Sequence, residues 1–256
     1  MIWLQSSWRR RAVAVESLSI VFPAFNEAEN ILESIRRAVT ACERIGLDYE
    51  VVVVDDGSRD ATGKLAADLA LENTNVRIVT HSKNRGYGAA LKSGILSSRK
   101  DYVFFTDADL QFDLNELDCL LASAGQYDII AGYREKRSDP FGRRLNAWAW
   151  GQLVDWFFHL KVRDVDCAFK VFHRSVFERI PIHSVGAFVN TEILVRAQAQ
   201  GFTIKQVPVS HFPRHAGRQS GADIRVIAKA FRELGRLHKD LKEVQEHSFT
   251  LERGSK

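Results

Sequence analysis

The 256-residue sequence predicts an α/β fold with an open, mostly parallel central sheet flanked by helices and a smaller mixed C-terminal region. Between Leu18 and Gly132, short runs rich in β-branched residues alternate with longer segments of helical period. Such alternation is typical of right-handed β-α-β units that build a parallel sheet. After Gly132 the alternation stops and a basic loop leads into an aromatic stretch, so the rest of the chain is expected to be mixed.

Five hydrophobic runs in the first half are predicted to be strands. Each run is apolar almost throughout, as expected of a parallel strand that is buried on both faces. The predicted strands cover residues 18–22, 50–54, 76–80, 102–105 and 128–131.

Helices are predicted between these strands from their apolar spacing and their end signals. The first runs from Ile31 to Ile45 and stops at Gly46, a residue that favours helix ends. The fourth opens at Asp113, where Glu116 three residues later predicts a capping box. The remaining predictions are helices near 60–62 and at 89–98, a strand at 167–172, a helix at 191–199, a strand at 203–211 and a long helix from about 223.

Composition argues against several classes of function. Lys and Arg number 36 against 32 Asp and Glu, and a net charge of +4 is too small to predict nucleic-acid binding. The three cysteines are far apart and odd in number, which indicates neither a disulfide framework nor a thiolate zinc site and fits a reducing cytosol. No transmembrane helix is predicted, because no sufficiently long run of uncharged apolar residues exists.

The strongest chemical signal lies where the strand at 102–105 ends. Asp107, Asp109 and Gln111 are spaced by two, so their side chains would leave one side of the chain if it stays extended. Carboxylate and amide oxygens suit hard ions, and Mg²⁺ is typically held by one or two carboxylates together with substrate phosphates. These three residues therefore predict a Mg²⁺ or Mn²⁺ site. Acidic residues that simply cap the next helix are the alternative explanation.

Polar clusters follow four of the predicted strands, and ligands of open α/β sheets bind beyond such strand ends. In the third cluster, Gly86 and Gly88 let the backbone approach a ligand before a helix whose N-terminus favours anions. A nicotinamide site is disfavoured, because the full dinucleotide fingerprint is missing. The four clusters are residues 23–27, 55–58, 81–88 and 107–111.

Six segments carry a resemblance to a known family: residues 21–27, 53–58, 84–90, 106–111, 164–170 and 214–220. In order and spacing they resemble family 2 glycosyltransferases of the GT-A fold, and specifically the branch of dolichol-phosphate mannosyltransferases and related polyprenyl-phosphate glycosyltransferases. The resemblance covers about residues 18–221. It implies a glycosyltransferase domain at 17–222 with a nucleotide-sugar half (17–133) and an acceptor half (134–222). The short apolar start before Arg9 predicts a flexible N-terminal arm at 1–16, and the residue pattern after 222 predicts an amphipathic helix and tail at 223–256.

The resemblance implies a nucleotide-sugar donor of the GDP-mannose or UDP-glucose type. A carboxylate in such a pocket can accept hydrogen bonds from the N–H groups of guanine or uracil. Asn26 and residues 56–58 are also good turn formers, and this simpler role stays open. The implied donor-binding residues are Pro23, Asn26, Glu27, Asp55, Asp56, Arg85 and Ala108.

The implied reaction is inverting transfer of a hexose, mannose or glucose, to a polyprenyl phosphate. A divalent ion would stabilise the charge that builds on the leaving diphosphate. The acceptor phosphate is already ionised, so no general base is required. Asp107, Asp109 and Arg214 are the implied catalytic residues, while Arg134, Arg143, Arg144, Arg218 and Ser220 are the implied acceptor-phosphate contacts.

Several positions depart from the family pattern and leave the donor sugar open. Gly221 stands where the family often has Lys, and Arg134 follows Gly-Tyr in place of Gly-Ser. Glu192 occupies a position that is often acidic in relatives, although favourable placement in a helix dipole explains it equally well.

A lipid-linked acceptor also implies contact with a membrane surface. The tryptophans at 148–156 and an amphipathic basic helix after 223 suit the headgroup boundary, and core packing explains both patterns equally well. We therefore expect a protein on the cytoplasmic face of a membrane, attached peripherally or through a membrane-anchoring subunit. The alternatives are a family 2 enzyme that acts on a hydroxyl acceptor and a nucleotide-sugar-binding module without turnover.

Overall fold

The computed structural model describes residues 15–135, 141–214 and 229–243, with the backbone alone for 141–144. Strands and helices alternate through the first half, as predicted. The strands are β1 (Ser17–Ala24), β2 (Asp48–Asp55), β3 (Val76–Thr80), β4 (Tyr102–Thr106), β5 (Ile129–Arg134), β6 (Phe169–His173) and β7 (Ile204–Val209). The helices are α1 (Ile31–Ile45), α2 (Thr62–Glu72), α3 (Tyr87–Ser97), α4 (Leu117–Leu121), α5 (Phe141–Phe158), α6 (Ser175–Arg179), α7 (Val189–Ala199) and α8 (229–243).

All seven strands form one sheet in the order β3-β2-β1-β4-β6-β5-β7. The pairs among β1 to β4 are parallel, which confirms the predicted α/β class. Strand β5 runs in the same direction but is separated from β4 by β6, which pairs antiparallel with both. Strand β7 adds to the outer side of β5 in parallel. The parallel strands therefore end at one edge of the sheet, where the predicted polar clusters meet.

Helices cover both faces of the sheet, so the strands bury side chains on both sides. In β1, Ile20 and Phe22 pack with α1, α2 and α4, whereas Val21 packs with α3 and α7 on the other face. Burial on both faces explains why these strands are apolar without alternation.

The predicted end of α1 is confirmed, whereas the predicted start of the fourth helix is wrong. Gly46 ends α1 in the left-handed conformation, and its N–H donates to the carbonyls of Cys42 and Glu43, as predicted for a helix stop. The predicted capping box at Asp113 is wrong. The Asp113 side chain does accept from Asn115 N, but the Glu116 carboxylate bonds to the N–H and hydroxyl of Ser210. A single 3-10 turn follows Asp113, and α4 begins only at Leu117.

The predicted membrane-facing segments are partly core. In α8, Leu234 and Leu237 are buried against the α3 and α7 side of the sheet. In α5, Trp150 packs edge-on against Phe188 and Phe231. By contrast, Trp148 and Trp156 of α5 are 63% and 72% exposed.

Some sequence predictions concern segments outside the described ranges. These are the N-terminal arm up to residue 14, the start of the last helix and the C-terminal tail. Within the described ranges, no helix has both the length and the apolar character needed to cross a bilayer. The three cysteines, all of them described, are free.

Candidate active site

The predicted acidic residues lie at the C-terminal edge of the sheet, directly after β4. The chain does not stay extended there, because Leu110 adopts a left-handed conformation with φ of 61°. The prediction of one extended run from Asp107 to Gln111 is therefore wrong. The Gln111 side-chain amide donates to the Phe212 carbonyl at 3.0 Å, so this geometry gives no support to Gln111 as a metal ligand.

Asp107 and Asp109 nevertheless come together in a buried site. Burial and the neighbouring Asp109 carboxylate raise the pKa of Asp107 to about 7. Burial likewise raises the pKa of Asp109. The Asp107 Oδ1 atom is buried and accepts no hydrogen bond. The half-buried Asp107 and the buried Asp109, with one buried oxygen unsatisfied, are a donor set that fits a hard divalent cation.

The carboxylate pair can supply only part of a coordination shell. Among the residues that the structure describes, no group of three or more His, Cys, Asp or Glu side chains is arranged to hold a metal ion. A magnesium ion typically completes two protein carboxylates with waters and substrate phosphate oxygens. Asp107 and Asp109 therefore fit an ion that arrives with a phosphorylated ligand.

Tyr87, at the start of α3, contacts this pair and was not predicted as a site residue. Its buried hydroxyl lies beside Asp107 and Asn190 without a hydrogen bond of good geometry to either. Burial and the Asp107 charge raise the pKa of Tyr87 well above its usual value. The sequence signal was the tyrosine between the two glycines of the third cluster.

Arg214 joins the carboxylate pair to the end of β1. Its guanidinium forms an ion pair with Glu27 and lies 3.6 Å from Asp109 Oδ2. The other Glu27 oxygen accepts from the Asn30 amide at 2.8 Å. Burial is the main cause that raises the pKa of Glu27. Arg214, predicted as a catalytic residue, is thus held between carboxylates that follow β1 and β4.

The loops after β1 and β2 are tied to each other. Asn26 has a positive φ of 56°, and its side-chain oxygen accepts from Arg59 N at 2.8 Å. Asp55 accepts from Ser58 N at 3.0 Å, and a side chain at Gly63 would collide with its second oxygen. Asn26 thus has the turn role that its residue type also predicted, and its nucleotide contact stays a prediction.

Two other predicted donor residues are buried. Pro23 lies within β1 beside Val54 of β2. Ala108 is buried, and its carbonyl accepts from the Ser34 hydroxyl at 3.0 Å. Their direct contacts with a ligand remain predictions.

Asp56 has both carboxylate oxygens engaged within the protein. It accepts from Arg85 N at 2.9 Å, from Gly86 N at 2.8 Å and from His81 Nδ1 at 2.6 Å. These bonds fix the segment that leads into α3. Asp56 therefore holds the glycine segment, whereas a direct nucleotide contact remains a prediction.

The glycine segment also packs tightly against the loop at 183–186. Gly88 N donates to the Val185 carbonyl at 3.0 Å, and a Cβ at Gly88 would lie 2.5 Å from the Ser184 carbonyl oxygen. Glu192, buried in α7, holds this loop by accepting from the N–H groups of His183 and Ser184. Glu192 thus has a structural contact, and whether it also has a role in the reaction stays open.

Arg134, a predicted acceptor contact, is bound to a buried carboxylate. Its Nε and one terminal nitrogen donate to the two Asp164 oxygens at 2.6 and 2.7 Å. The two residues line a cavity of about 380 Å³, where Arg163 stacks 4.8 Å over the Tyr133 ring. The buried Lys170 supports the turn before β6 by donating to the carbonyls of Val165 and Cys167. The structure does not describe the side chains of the other predicted acceptor contacts, which are Arg143, Arg144, Arg218 and Ser220.

Comparison with known proteins identifies the family. The model of the family described as "Glycosyl transferase family 2" matches residues 19–186, well over half of the chain. This chain belongs to glycosyl transferase family 2. The family inferred from the motifs is therefore confirmed.

Curated relatives of this family 2 glycosyltransferase include enzymes named for polyprenyl phosphates. It is 34% identical over 219 residues to the glycosyltransferase AglD of Haloferax volcanii, covering 80% of this chain and 35% of the relative. It is 30% identical over 221 residues to the undecaprenyl-phosphate 4-deoxy-4-formamido-L-arabinose transferase of Pseudomonas fluorescens, covering 85% of this chain and 63% of the relative. The chain thus spans between about a third and two thirds of these relatives.

Solved structures support the fold of this family 2 glycosyltransferase. Glucosyl-3-phosphoglycerate synthase from Mycobacterium tuberculosis, in complex with Mn²⁺, UDP and phosphoglyceric acid, superposes with a TM-score of 0.68 at 22% identity, covering 88% of this chain and 80% of the synthase. The complex of the same synthase with Mg²⁺ and UDP superposes with a TM-score of 0.68 at 21% identity, covering 88% of this chain and 81% of the synthase. The predicted GT-A architecture is thereby confirmed.

Proposed function

We propose that this protein transfers a hexose, mannose or glucose, from a nucleoside diphosphate sugar to a polyprenyl phosphate, with inversion at the anomeric carbon. The observation that carries the proposal is the buried pair Asp107 and Asp109 with Arg214 against Asp109. The site joins carboxylates that favour a cation to a guanidinium that can bind an anion. Relatives named as undecaprenyl-phosphate sugar transferases support the acceptor class.

The donor would lie along the edge of the sheet from β2 to β4. Its nucleoside would bind near Asp55, whose position at the end of β2 leaves it beside the loop that carries Asn26. Its diphosphate would then pass the glycine segment before α3 and reach Asp107. Bound UDP in the similar synthase structures supports a nucleotide in this fold, and whether the base is uracil or guanine is for the assay to decide.

The residues at the carboxylate pair have distinct roles in this reaction. A divalent ion, Mg²⁺ or Mn²⁺, held by Asp107 and Asp109 would supply Lewis-acid stabilisation of the leaving diphosphate. Tyr87 borders Asp107 and would help to orient its carboxylate. The acceptor phosphate oxygen attacks the anomeric carbon while the bond to the diphosphate oxygen breaks, so no side chain has to remove a proton.

Arg214 is the described residue best placed to bind the acceptor phosphate. It already lies beside Asp109, where the transferred sugar and the leaving group would meet. Arg134 would instead shape the acceptor side, because its guanidinium fork is bound to Asp164. The remaining proposed contacts are Arg143, Arg144, Arg218 and Ser220.

The exposed face of α5 would rest on the membrane that holds the lipid. Leu145, Trp148 and Trp156 are exposed and, at about 100° per residue, fall within about 80° of one another around the helix. Tryptophan suits the headgroup boundary, because its ring is apolar and its N–H is polar. A membrane-anchoring subunit would bring the site to the same surface. Replacing both tryptophans with alanine should reduce sedimentation with anionic vesicles.

Transfer of labelled sugar into lipid tests the proposal directly. The protein is incubated with undecaprenyl or dolichyl phosphate, Mn²⁺ and either UDP-[¹⁴C]glucose or GDP-[¹⁴C]mannose, and the label in the organic extract is counted. We expect transfer with one of the donors and a loss of at least a hundredfold in Asp109→Asn, which removes one charge from the pair. The matched control is Asp68→Asn, an exposed residue of α2 that should retain full activity.

Three results would contradict parts of the proposal. Label that appears only in a water-soluble product would favour the hydroxyl-acceptor alternative. Binding of a nucleotide sugar without turnover would favour the non-catalytic module. Full activity of Asp109→Asn, or full activity in EDTA, would remove the proposed role of the metal-binding carboxylates.

A further inference from the structure

A buried network with Asp56 at its centre joins the second and third polar clusters. This carboxylate is 2% exposed and receives three donors: His81 Nδ1, Arg85 N and Gly86 N. A carboxylate only accepts hydrogen bonds, so the proton of the His81 ring lies on Nδ1. The other ring nitrogen, Nε2, is 2.9 Å from the Ser93 hydroxyl in α3. His81 therefore links the end of β3 both to Asp56 and to α3.

This network lies between the two ends of the proposed donor site. Asp56 follows Asp55 at the nucleoside end, and the segment it binds leads directly to Tyr87, which borders Asp107. A diphosphate joins the nucleoside to the sugar, so it has to cross this segment. The exposed side chain of Arg85 starts from backbone that Asp56 holds in place.

The backbone of the segment at 84–86 has an unusual conformation and packs closely against the loop after β2. Gly57 packs so closely that a Cβ there would lie 2.5 Å from the Lys83 carbonyl carbon. Gly86 has a φ of 101°, a conformation that only glycine adopts readily. Without His81, the Asp56 carboxylate would lose its one side-chain donor and could turn away from the two backbone N–H groups.

We infer that His81 is a positioning residue for the donor diphosphate, acting through Asp56 to hold Arg85 and Gly86 at the phosphate-binding place. The inference rests on the proposed function only for the class of donor, a nucleoside diphosphate. It predicts that losing His81 weakens binding of the phosphates and spares binding of the nucleoside. A merely structural role would weaken both or neither.

Calorimetric binding of UDP and GDP in the presence of Mn²⁺, each compared with its own nucleoside, tests this inference. We expect His81→Leu to weaken the preferred diphosphate about tenfold, the effect of one lost charge-assisted hydrogen bond, and to change nucleoside binding less than about twofold. His81→Asn should stay within about threefold of wild type, because its amide N–H can replace Nδ1–H. The matched control is His173→Leu, which removes a histidine bonded to Ser175 at the opposite edge of the sheet.

A double-mutant cycle shows whether His81 acts through Arg85. Arg85→Ala removes an exposed side chain and should itself weaken the diphosphate selectively. In that background, His81→Leu should have clearly less than its tenfold effect, because coupled residues are not additive. If His81→Leu does not fold, Ser93→Ala carries the test with a smaller loss that is again selective for the diphosphate.

The possible outcomes separate this inference from the proposed function. The role of His81 would be overturned if His81→Leu lost affinity equally for diphosphate and nucleoside, or lost no affinity for either ligand. If His81→Leu does not fold, the same two results in Ser93→Ala would overturn it. If wild-type protein binds neither UDP nor GDP, the donor assignment and the inference are both wrong. Selective loss with no lipid labelling would support His81 and overturn only the polyprenyl-phosphate acceptor.

Discussion

The raised pKa of Asp107 predicts that the metal-free protein is stabilised when this residue becomes neutral. Asn has nearly the shape of a protonated Asp, so Asp107→Asn removes the buried charge and little else. Burial and Asp109 raise the pKa from 3.8 to about 7, a difference of roughly 3 units. At about 1.4 kcal/mol per unit, the ionised side chain costs the folded protein on the order of 4 kcal/mol.

Because the pKa of Asp107 is raised in the folded protein, the stability advantage of Asp107→Asn should grow as the pH rises. Between about pH 4 and pH 7, folded wild type binds a proton that the unfolded chain has already released, so its stability falls as pH rises through this window. The Asn variant has no such proton. Its advantage should be absent near pH 4 and complete by pH 8, where about 4 kcal/mol corresponds to roughly 10 °C in Tm for a chain of this size.

Thermal unfolding followed by circular dichroism in EDTA, from pH 4 to pH 8, measures this difference. The exposed Asp68→Asn variant is the control and should track wild type. Addition of Mn²⁺ and UDP should raise the Tm of wild type more than that of Asp107→Asn, because the ligands stabilise the form with both carboxylates. Equal melting temperatures at pH 8, or a difference independent of pH, would refute the buried-charge explanation.

Three further substitutions test the supports of the site, each by urea unfolding. Gly88→Ala should cost about 1–3 kcal/mol, because its Cβ would meet two backbone carbonyl oxygens, whereas Gly151→Ala in open space on α5 should gain up to about 1 kcal/mol. Arg134→Ala should cost about 1.5–3 kcal/mol by removing the two guanidinium hydrogen bonds to the buried Asp164 carboxylate, and adding Asp164→Asn should recover part of the loss. Glu192→Gln should cost roughly 2 kcal/mol, because an amide replaces one of two oxygens that accept backbone N–H groups.

Local patterns in the sequence were sufficient to predict the elements of the first half. Residues 76–80 form β3 with the predicted bounds, because a short apolar run between polar segments leaves few alternatives. The position of β6 between β4 and β5 was not predictable in this way. An apolar strand such as Phe169–His173 has the same pattern whether its neighbours run parallel or antiparallel.

The site was predictable in its residue types and less so in its pairings. Asp107 and Asp109 were found from spacing, yet Gln111 does not continue their extended run, because the chain turns at Leu110, whose positive φ is rare for a bulky residue. The partners of Asp56 and Arg134 lie 25 to 30 residues away in sequence, so only the folded chain brings them together. Asp56 and Arg134 each hold a neighbouring segment, and their expected ligand contacts stay predictions.

The charges at the end of β4 explain why cation and donor would bind together. Glu27, Asp107 and Asp109 are three carboxylates in mutual electrostatic contact, and among the described side chains Arg214 is the cation that pairs directly with two of them. When all are ionised, this cluster is short of positive charge, and a dication would offset the deficit. The same ion would release Arg214 from part of its attraction to Asp109, because a divalent charge competes for that oxygen. Under the proposed function, Arg214 would then turn toward the anionic acceptor once the donor phosphates and their ion are bound, and donor binding would precede acceptor binding.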